Sequence, residues 1–338
     1  MYLTLTDWPP TFSALARWLA VGAVLVAVAG RTRTWAAVMA AVIAGLGGLY
    51  VAVVAGQGVV GGQAAPWTYV IGGAIVAGVS ALQVAGLIRR KLVFDPVVLA
   101  AVQLGLGLAS RWAYYALSGL GTNPAAYRPE TVLSPFRTEL PMLALALAAV
   151  GLGVSRGWRP AIDRLGVTAP TATHALIAFG VAVVFSGLGI FANYLTYRLM
   201  PGTYHNIGEI EYIAYSALPI WAYWLLSALA GTSEETLFRG ALQPRFGILI
   251  TAALFASIHI QYGFTPILAV VFVHGIGLGL LRRYLGTTTA ILTHATYDAL
   301  TFNWRQDLVW LGVLAAIVIV WTPARRASDP SKRLQPPN

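Results

Sequence analysis

The chain has 338 residues, of which 58% are hydrophobic and only 10% are charged. Soluble domains carry roughly 25% charged residues, so this composition excludes an ordinary soluble globular protein. It predicts an all-α fold, a polytopic bundle of transmembrane helices. The chain has no cysteine, which excludes disulfides, a thiolate nucleophile and a cysteine-ligated metal.

The formal net charge is +10, which raises the question of nucleic-acid binding. However, the basic residues form short clusters between apolar segments, at Arg31/Arg33, Arg89/Arg90/Lys91, Arg156/Arg159/Arg164, Arg282/Arg283 and Arg325/Arg326/Lys332/Arg333. This pattern is typical of cytoplasmic loops that face anionic lipid. We therefore expect the lipid bilayer as a partner and no nucleic acid.

The apolar segments predict about eleven membrane spans, within a range of about eight to eleven. In chain order they cover residues 13–30, 35–55, 67–88, 96–117, 139–155, 172–193, 219–245, 247–262, 264–281, 287–303 and 307–322. Placing the N-terminus outside and the C-terminus in the cytoplasm puts every basic cluster on the cytoplasmic side. Residues 1–12 contain Asp7 but no Lys or Arg. A signal peptide has a basic n-region, so we expect an uncleaved first helix.

Three regions follow from the distribution of polar residues. Residues 1–138 are rich in Ala, Val and Gly and are interpreted as accessory N-terminal transmembrane helices, with Asp95 before Pro96 as a helix N-cap. Residues 139–322 contain the polar side chains that suggest chemistry and form the predicted core. Residues 323–338 form a predicted disordered cytoplasmic tail.

Two segments of the core are too polar to span a membrane. Residues 156–171 combine Trp, Arg and aliphatic side chains, which favours a short interfacial helix. Residues 194–212 contain His205, Glu209 and Glu211. We expect a solvated external loop there, with a gate or a substrate contact as the alternative.

The most unusual stretch runs from Gly231 to Gly240 and places two carboxylates and a guanidinium between apolar segments. Each ionisable residue inside a membrane costs about 2.5–3.5 kcal/mol on insertion scales. Glu235 and Arg239 have the i, i+4 spacing and the order that favour an ion pair. Glu234 lies about 100° further around the helix and is free to face another partner. Alternatively, both carboxylates neutralise Arg239 and are only structural.

Polar groups on two later helices lie at a matching depth. His259 follows Phe255 at i, i+4, and His294 and Asp298 share one helix face. At ~1.5 Å per residue, Glu234, His259 and Asp298 each lie ~16–18 Å from the cytoplasmic end of their spans. This coincidence indicates one buried, water-filled site, although a purely structural His–Asp hydrogen bond remains an alternative.

One further histidine of the core has a different environment. His274 neighbours a Gly275/Gly279 face, which indicates packing or support for the site.

A glutamate and histidines without a serine or cysteine nucleophile suit the activation of water. The base takes a proton from water, and the water attacks a carbonyl group. His294 and the side chain at 298 are placed to bind the developing oxyanion.

The three motifs together resemble a known family. Glu234-Glu235-Thr-Leu-Phe-Arg239, Phe255-Ala-Ser-Ile-His259 and His294-Ala-Thr-Tyr-Asp298 are similar to the motifs of the CAAX-protease and bacteriocin-processing family (CPBP, or Abi), which includes Ras-converting-type prenyl-protein endopeptidases. The resemblance covers roughly residues 140–320. It implies a glutamate-dependent intramembrane endopeptidase.

The resemblance also implies a role for each motif residue. Glu234 is the implied general base, and His259 is its partner at the water. Glu235 and Arg239 support the base helix, and His294 and Asp298 form the oxyanion pocket. The family often has Asn at the last position. Asp298 donates a hydrogen bond only when protonated, or it orients His294 as an acceptor.

The implied substrate is a membrane-anchored protein or peptide, such as a C-terminal tail or a bacteriocin-type peptide. The implied location is the cytoplasmic membrane of a bacterium or archaeon. No cofactor is expected. One alternative is a zinc metallopeptidase with Glu234, His259 and His294 as ligands. Another is a non-enzymatic immunity scaffold or a proton-coupled transporter.

Overall fold

The computed structural model describes residues 10–31, 33–60, 67–88 and 95–302. The predicted span 307–322 and the predicted tail 323–338 lie outside these residues. Within the described part of the chain every regular element is helical and no β-strand occurs. The all-α fold class is therefore confirmed for this part.

The helices follow one another with short connections. Four belong to the predicted accessory region, α1 (Pro10–Ala29), α2 (Thr34–Val60), α3 (Trp67–Ile88) and α4 (Pro96–Ser118). The others are α5 (Ser134–Ala149), α6 (Trp158–Leu165), α7 (Ala172–Leu199), α8 (Pro201–Tyr215), α9 (Ile220–Glu235), α10 (Gln243–Ser257), α11 (Pro266–Leu285) and α12 (Thr287–Phe302). A π-helical segment, Thr236–Leu242, joins α9 to α10.

Fewer helices meet the requirements of a membrane span than the sequence predicts. Three described helices are long and apolar enough, Trp67–Gly86, Ala172–Leu199 and Pro266–Leu285. A fourth span results if Pro201–Tyr215 and Ile220–Ser257, which are bent by 105° relative to each other, are counted as one. The count of about eleven spans is not confirmed, and the orientation of the termini stays a prediction.

One sequence expectation is wrong. Residues 194–212 do not form a loop, because α7 continues to Leu199 and α8 begins at Pro201. Met200 between them has a non-helical backbone, with φ −141° and ψ 59°. Proline lacks an N–H and has a fixed φ, so it starts a helix readily and cannot continue one. The polar residues of this segment therefore lie on helices.

Two local predictions are confirmed. Residues 158–165 form the short helix α6, although its place at the membrane interface stays a prediction. Asp95 caps α4 and accepts hydrogen bonds from the amides of Val97 and Val98. Its carboxylate also contacts Arg31 at 2.8 Å. Burial alone would raise the pKa of Asp95, but these hydrogen bonds and the Arg31 charge outweigh burial and lower it.

The short helix α6 is fixed against the beginning of α12. The Thr287 hydroxyl donates to the Leu165 carbonyl at 2.5 Å, and the Thr287 amide donates to the Gly166 carbonyl at 2.9 Å. Gly166 has φ +70°, the left-handed conformation that ends a helix. Leu165 is fully buried in the main hydrophobic cluster with Phe238 and other residues of the helices around the π segment. The N-terminal end of α12 is thereby held beside the π segment.

Close packing of α9 on α12 depends on Gly231. A Cβ atom at this position would lie 2.8 Å from the Ala295 amide nitrogen and 3.0 Å from the Ile291 carbonyl oxygen. Both neighbours are backbone atoms, which cannot rotate away. The helices can therefore approach this closely only because residue 231 has no side chain.

We predict that Gly231→Ala lowers the thermal unfolding midpoint in detergent, because it forces α9 and α12 apart. Overpacking of this kind typically costs about 1–3 kcal/mol. Gly180→Ala is the matched control, since a Cβ at Gly180 in α7 meets nothing within 4 Å. The control should be neutral or slightly stabilising. Equal midpoints for the two variants would contradict the close contact at Gly231.

Candidate active site

The three motifs meet around the π segment. The first ends α9 and continues through Thr236–Leu242, the second ends α10 and the third lies in α12. A π-helix has i→i+5 hydrogen bonds and appears frequently at functional sites. Here it contains Arg239, which is fully buried.

The centre of the site is the carboxylate of Glu235. Its Oε1 accepts a hydrogen bond from Arg239 Nη1 at 3.0 Å and lies 2.8 Å from His294 Nδ1. The side chains of Glu235 and Arg239 are both 0% exposed. The predicted ion pair is present, but the contact with His294 was not predicted. Glu235 therefore joins α9 to α12 as well as to the π segment.

Arg239 also contacts α10 and α11. Its Nη2 donates to the Gly275 carbonyl oxygen at 3.2 Å, and its guanidinium carbon lies 4.3 Å from the centre of the Phe255 ring. A cation over an aromatic face is stabilised by the ring quadrupole. One side chain thus holds three helices around the site.

His294 lies between two carboxylates. Its Nδ1 faces Glu235, and its Nε2 lies 3.5 Å from Asp298 Oδ2, one helical turn further along α12. The Phe255 ring packs edge-on against the imidazole with centroids 5.7 Å apart. A ring that faces a carboxylate at each nitrogen is suited to hold both protons as an imidazolium.

Glu234 differs from its neighbour Glu235. Its Oε2 is buried without a hydrogen-bond partner among the described residues, as is Glu235 Oε2, but unlike Glu235 it has no hydrogen bond at its other oxygen either. Its charged neighbours include His294, Glu139 and Asp298. A buried carboxylate oxygen without a partner is rare and requires an explanation, such as a functional role.

His259 lies just beyond α10, whose last residue is Ser257. Sequence reasoning placed it inside the span, whereas its backbone has φ −90° and ψ 57° and is not helical. Its Nδ1 is 3.0 Å from the Phe255 carbonyl oxygen. Within the described residues no hydrogen bond joins His259 to Glu234, so these two predicted partners lie in one region without direct contact.

His274 packs as predicted. Its ring stacks on Phe185 with centroids 4.1 Å apart and an interplanar angle of 15°. The Tyr297 ring packs edge-on against the imidazole, with centroids 4.9 Å apart and an interplanar angle of 73°. His274 is buried in α11 and contacts aromatic rings of α7 and α12.

Sequence reasoning missed one acidic residue of the site. Glu139 of α5 is only 8% exposed, and its Oε2 accepts a hydrogen bond from the Ser233 hydroxyl. The sequence did offer a signal, because Glu139 precedes the apolar run from Leu140 to Val150. It was read as the start of a span, but α5 begins at Ser134 and places Glu139 inside the bundle.

The zinc alternative requires Glu234, His259 and His294 to lie together as ligands. Within residues 10–31, 33–60, 67–88 and 95–302, no three His, Asp or Glu side chains form a group that could hold a metal ion. Glu234, His259 and His294 therefore do not form a ready-made zinc site in this arrangement. The zinc proposal would require these side chains to move together.

The arrangement combines the carboxylate of Glu234, which accepts no hydrogen bond from the described residues, with the imidazoles of His259 and His294 and the buried Glu235–Arg239 pair. An unbonded carboxylate can accept a proton, and a fixed imidazolium can stabilise a developing negative charge. These are the two functions that hydrolysis by an activated water requires.

Comparison with protein-family models gives a match to part of the chain. Residues 216–300 match the family model described as type II CAAX prenyl endopeptidase Rce1-like. The resemblance indicated by the three motifs is thereby confirmed. The matched segment is about a quarter of the chain and contains all three motifs. Comparison with curated proteins finds no significant match, and neither does comparison with solved structures.

The Rce1-like match bears on the general class of the protein. The Rce1-like family is a family of proteases, which supports a hydrolase embedded in a membrane through its apolar helices. Residues 1–215 and 301–338 lie outside the match. The assignment of the accessory and core regions as separate domains therefore stays a prediction.

We predict that Arg239→Ala lowers the free energy of unfolding by about 3–5 kcal/mol, because it leaves the Glu235 carboxylate buried without its guanidinium. Arg239→Lys should lower the free energy of unfolding less, since the lysine ammonium keeps the positive charge but lacks the planar guanidinium that can donate two hydrogen bonds at once. Unfolding can be followed in mixed detergent micelles. Arg198→Ala, at an exposed arginine of α7, is the control and should change stability by less than about 0.5 kcal/mol. Equal losses at positions 198 and 239 would refute the structural role of the buried pair.

Proposed function

We propose that this protein is a glutamate-dependent intramembrane endopeptidase that hydrolyses a peptide bond of a membrane-anchored protein or peptide. The observation that carries the proposal is the contrast between two adjacent glutamates. Glu235 Oε1 is engaged by Arg239 and His294, whereas no hydrogen bond from the described residues reaches either oxygen of Glu234; the Oε2 atoms of both glutamates are buried without a partner. The Rce1-like match over the same segment supports the reaction class.

In this mechanism Glu234 is the general base. It takes a proton from a water molecule, whose oxygen adds to the carbonyl carbon of the scissile bond. Glu234 then returns the proton to the leaving amine. The products are a carboxylic acid and an amine, and no other reactant is needed.

His259 is the proposed partner of Glu234 at the water. The Phe255 carbonyl can only accept a hydrogen bond, so Nδ1 of His259 carries the proton in this contact. The neutral ring then has a lone pair on Nε2. That nitrogen can accept a hydrogen bond from the attacking water and orient it.

His294 and Asp298 are the proposed oxyanion site. His294 is held by Glu235 at Nδ1, and its Nε2 lies 3.5 Å from Asp298 Oδ2, a long contact that lets Nε2–H also donate to an oxyanion formed beside Asp298. The positive ring stabilises the negative oxygen that forms on the substrate carbonyl. Asp298 is the acceptor that orients His294, rather than a second donor.

The proposed substrate is a segment that reaches the site from the membrane. The matched family is described by its action on prenylated CAAX ends, and a CAAX end is a C-terminal Cys-aliphatic-aliphatic-X sequence. A C-terminal tail or a bacteriocin-type peptide without a prenyl group would offer the same peptide chemistry. The proposed location is the cytoplasmic membrane of a bacterium or archaeon.

We predict that Glu234→Gln lowers cleavage by about 10²–10⁴-fold, because glutamine cannot accept the proton. The measurement uses proteoliposomes that contain either wild type or variant. Two internally quenched peptides with a Cys-aliphatic-aliphatic-X end serve as probes, one farnesylated and one unmodified. Membrane proteins are added in a second assay, and new termini are identified by mass spectrometry. Glu209→Gln, at an exposed carboxylate of α8, is the matched control and should keep wild-type activity.

Two outcomes would overturn this assignment. If no peptide and no membrane protein is cleaved in a Glu234-dependent way, the protein is not a protease, and an immunity scaffold or a proton-coupled transporter becomes the better explanation. If a metal chelator abolishes cleavage and added zinc restores it, the zinc metallopeptidase is correct. Cleavage that persists with chelator supports the proposal.

We predict that Asp298→Asn lowers kcat about tenfold, which corresponds to about 1.4 kcal/mol. Asparagine keeps an oxygen that can accept from His294, but it removes the charge that stabilises the imidazolium. Asp298→Leu removes both the accepting oxygen and the charge, and should lower kcat considerably more. An Asp298→Asn variant that is faster than wild type would instead assign residue 298 as a hydrogen-bond donor to the oxyanion.

A further inference from the structure

Glu139 is a buried acid that the proposed mechanism does not use. It lies in the second turn of α5, outside the three motifs and outside the segment matched by the family model. An ionisable side chain within the apolar part of a membrane protein is costly and is by default a candidate for function. Glu139 therefore requires an explanation of its own.

The contact of Glu139 leads directly to the proposed base. Its carboxylate accepts the hydrogen bond of Ser233 Oγ, and Ser233 is the residue immediately before Glu234 in α9. Ser233 is itself buried. The hydrogen bond thus fixes the last turn of α9 relative to α5, at the position where Glu234 leaves the backbone.

The charge of Glu139 also acts on the site. Its carboxylate is among the charged neighbours of both Glu234 and Asp298. The titratable groups that act on Glu234 come from several elements and are Glu139, Glu235, Arg239, His294, Asp298 and Tyr215. Together with Glu234 itself, this set has four carboxyl groups and only two side chains that can be cationic, Arg239 and His294. A negative charge near a carboxyl group favours the protonated form of that group.

We propose that Glu139 is a positioning residue of the candidate active site, which fixes Ser233–Glu234 by its hydrogen bond and promotes proton uptake by Glu234 through its negative charge. This inference rests on the proposed function. A contact that only joined α5 to α9 would be served equally well by a neutral amide. The carboxylate adds the negative charge that favours transfer of the water proton to Glu234.

The two effects can be separated by two substitutions. Glu139→Gln keeps an oxygen for the Ser233 hydroxyl but removes the charge, whereas Ser233→Ala removes the hydrogen bond and keeps the charge. The test measures kcat and KM against pH in proteoliposomes with the farnesylated quenched peptide, or with the unmodified peptide if that one is cleaved.

For Glu139→Gln we expect the acidic limb of the pH profile to move to lower pH by about one unit, with kcat on the plateau above that limb reduced by up to about tenfold, because a weaker base accepts the water proton less readily. For Ser233→Ala we expect a lower kcat with the acidic limb unchanged. Glu209→Gln should change neither. A Glu139→Gln profile that superimposes on that of wild type would overturn the proposal. It would show that the charge of Glu139 does not affect the base, as expected if the contact of Glu139 were purely structural.

A second substitution at position 139 keeps the test decisive if Glu139→Gln does not fold. Glu139→Asp keeps the charge but shortens the reach to Ser233, so kcat should fall while the acidic limb stays near its wild-type position. If Glu139→Gln does not fold and Glu139→Asp has wild-type kcat and KM, the position of the carboxylate is unimportant and the proposal fails. The thermal unfolding midpoint of each variant is measured in parallel.

A measurement without turnover distinguishes this proposal from the proposed function. If wild type is no more active than Glu234→Gln, the protease assignment fails. The protonated-carboxyl band in the infrared spectrum is then titrated in wild type, Glu139→Gln and Glu234→Gln. A Glu234-dependent band that titrates at lower pH in Glu139→Gln supports the coupling of the two carboxylates. A band unaffected by the substitution at 139 overturns it.

Discussion

The site depends on one oxygen atom, Oε1 of Glu235, which faces both Arg239 and His294. A carboxylate and a guanidinium that are fully removed from solvent are stable only if each finds a good partner, because the desolvation of two charges is large. Each of the two partners of Glu235 belongs to a different helical element. Any change that separated α12 from α9 would take His294 away from Glu235, so the electrostatics and the helix packing depend on each other.

Close backbone packing makes this constraint possible. Gly231 lets α9 approach α12, and Gly275 lets α11 approach Ala252 of α10, where an added Cβ would lie 3.0 Å from the Ala252 Cβ. Gly275 also offers its carbonyl oxygen to Arg239. In lipid there is no hydrophobic force between helices, so van der Waals contact and polar contacts must supply the association. The glycines permit close van der Waals contact between the helices. This contact brings the polar groups close enough to form hydrogen bonds and ion pairs.

The sequence predicted contacts within single helices well. The Glu235–Arg239 pair and the proximity of His294 to Asp298 both follow from i, i+4 spacing, and both are present. It did not predict which carboxylate would face His294 Nδ1, because a contact between helices depends on their rotation and separation. The π segment adds to this difficulty, since its wider turns change the direction in which residues after Glu235 project.

Glu139 and the helix α8 illustrate the remaining limits. An acidic residue near the start of an apolar run has the same sequence pattern whether it faces lipid headgroups or the protein interior. Glu139 lies inside the bundle because α5 begins five residues before it, at Ser134. Residues 201–215 are polar enough to resemble a loop, yet Pro201 starts a helix there. In both places the backbone continues regular structure beyond the point where composition changes. Apolar composition therefore sets the approximate location of the spans but not their ends.

In the proposed mechanism the two adjacent glutamates have different functions. A base must be able to gain a proton, whereas an anchor for an arginine must not. If one carboxylate performed both functions, proton uptake would remove the partner of Arg239 in each catalytic cycle, and a buried guanidinium would lose its counter-charge. Glu235 retains its two partners, and the π segment keeps Arg239 next to it. Glu234 can then change its protonation state without breaking the contacts that hold α9, the π segment and α12 together.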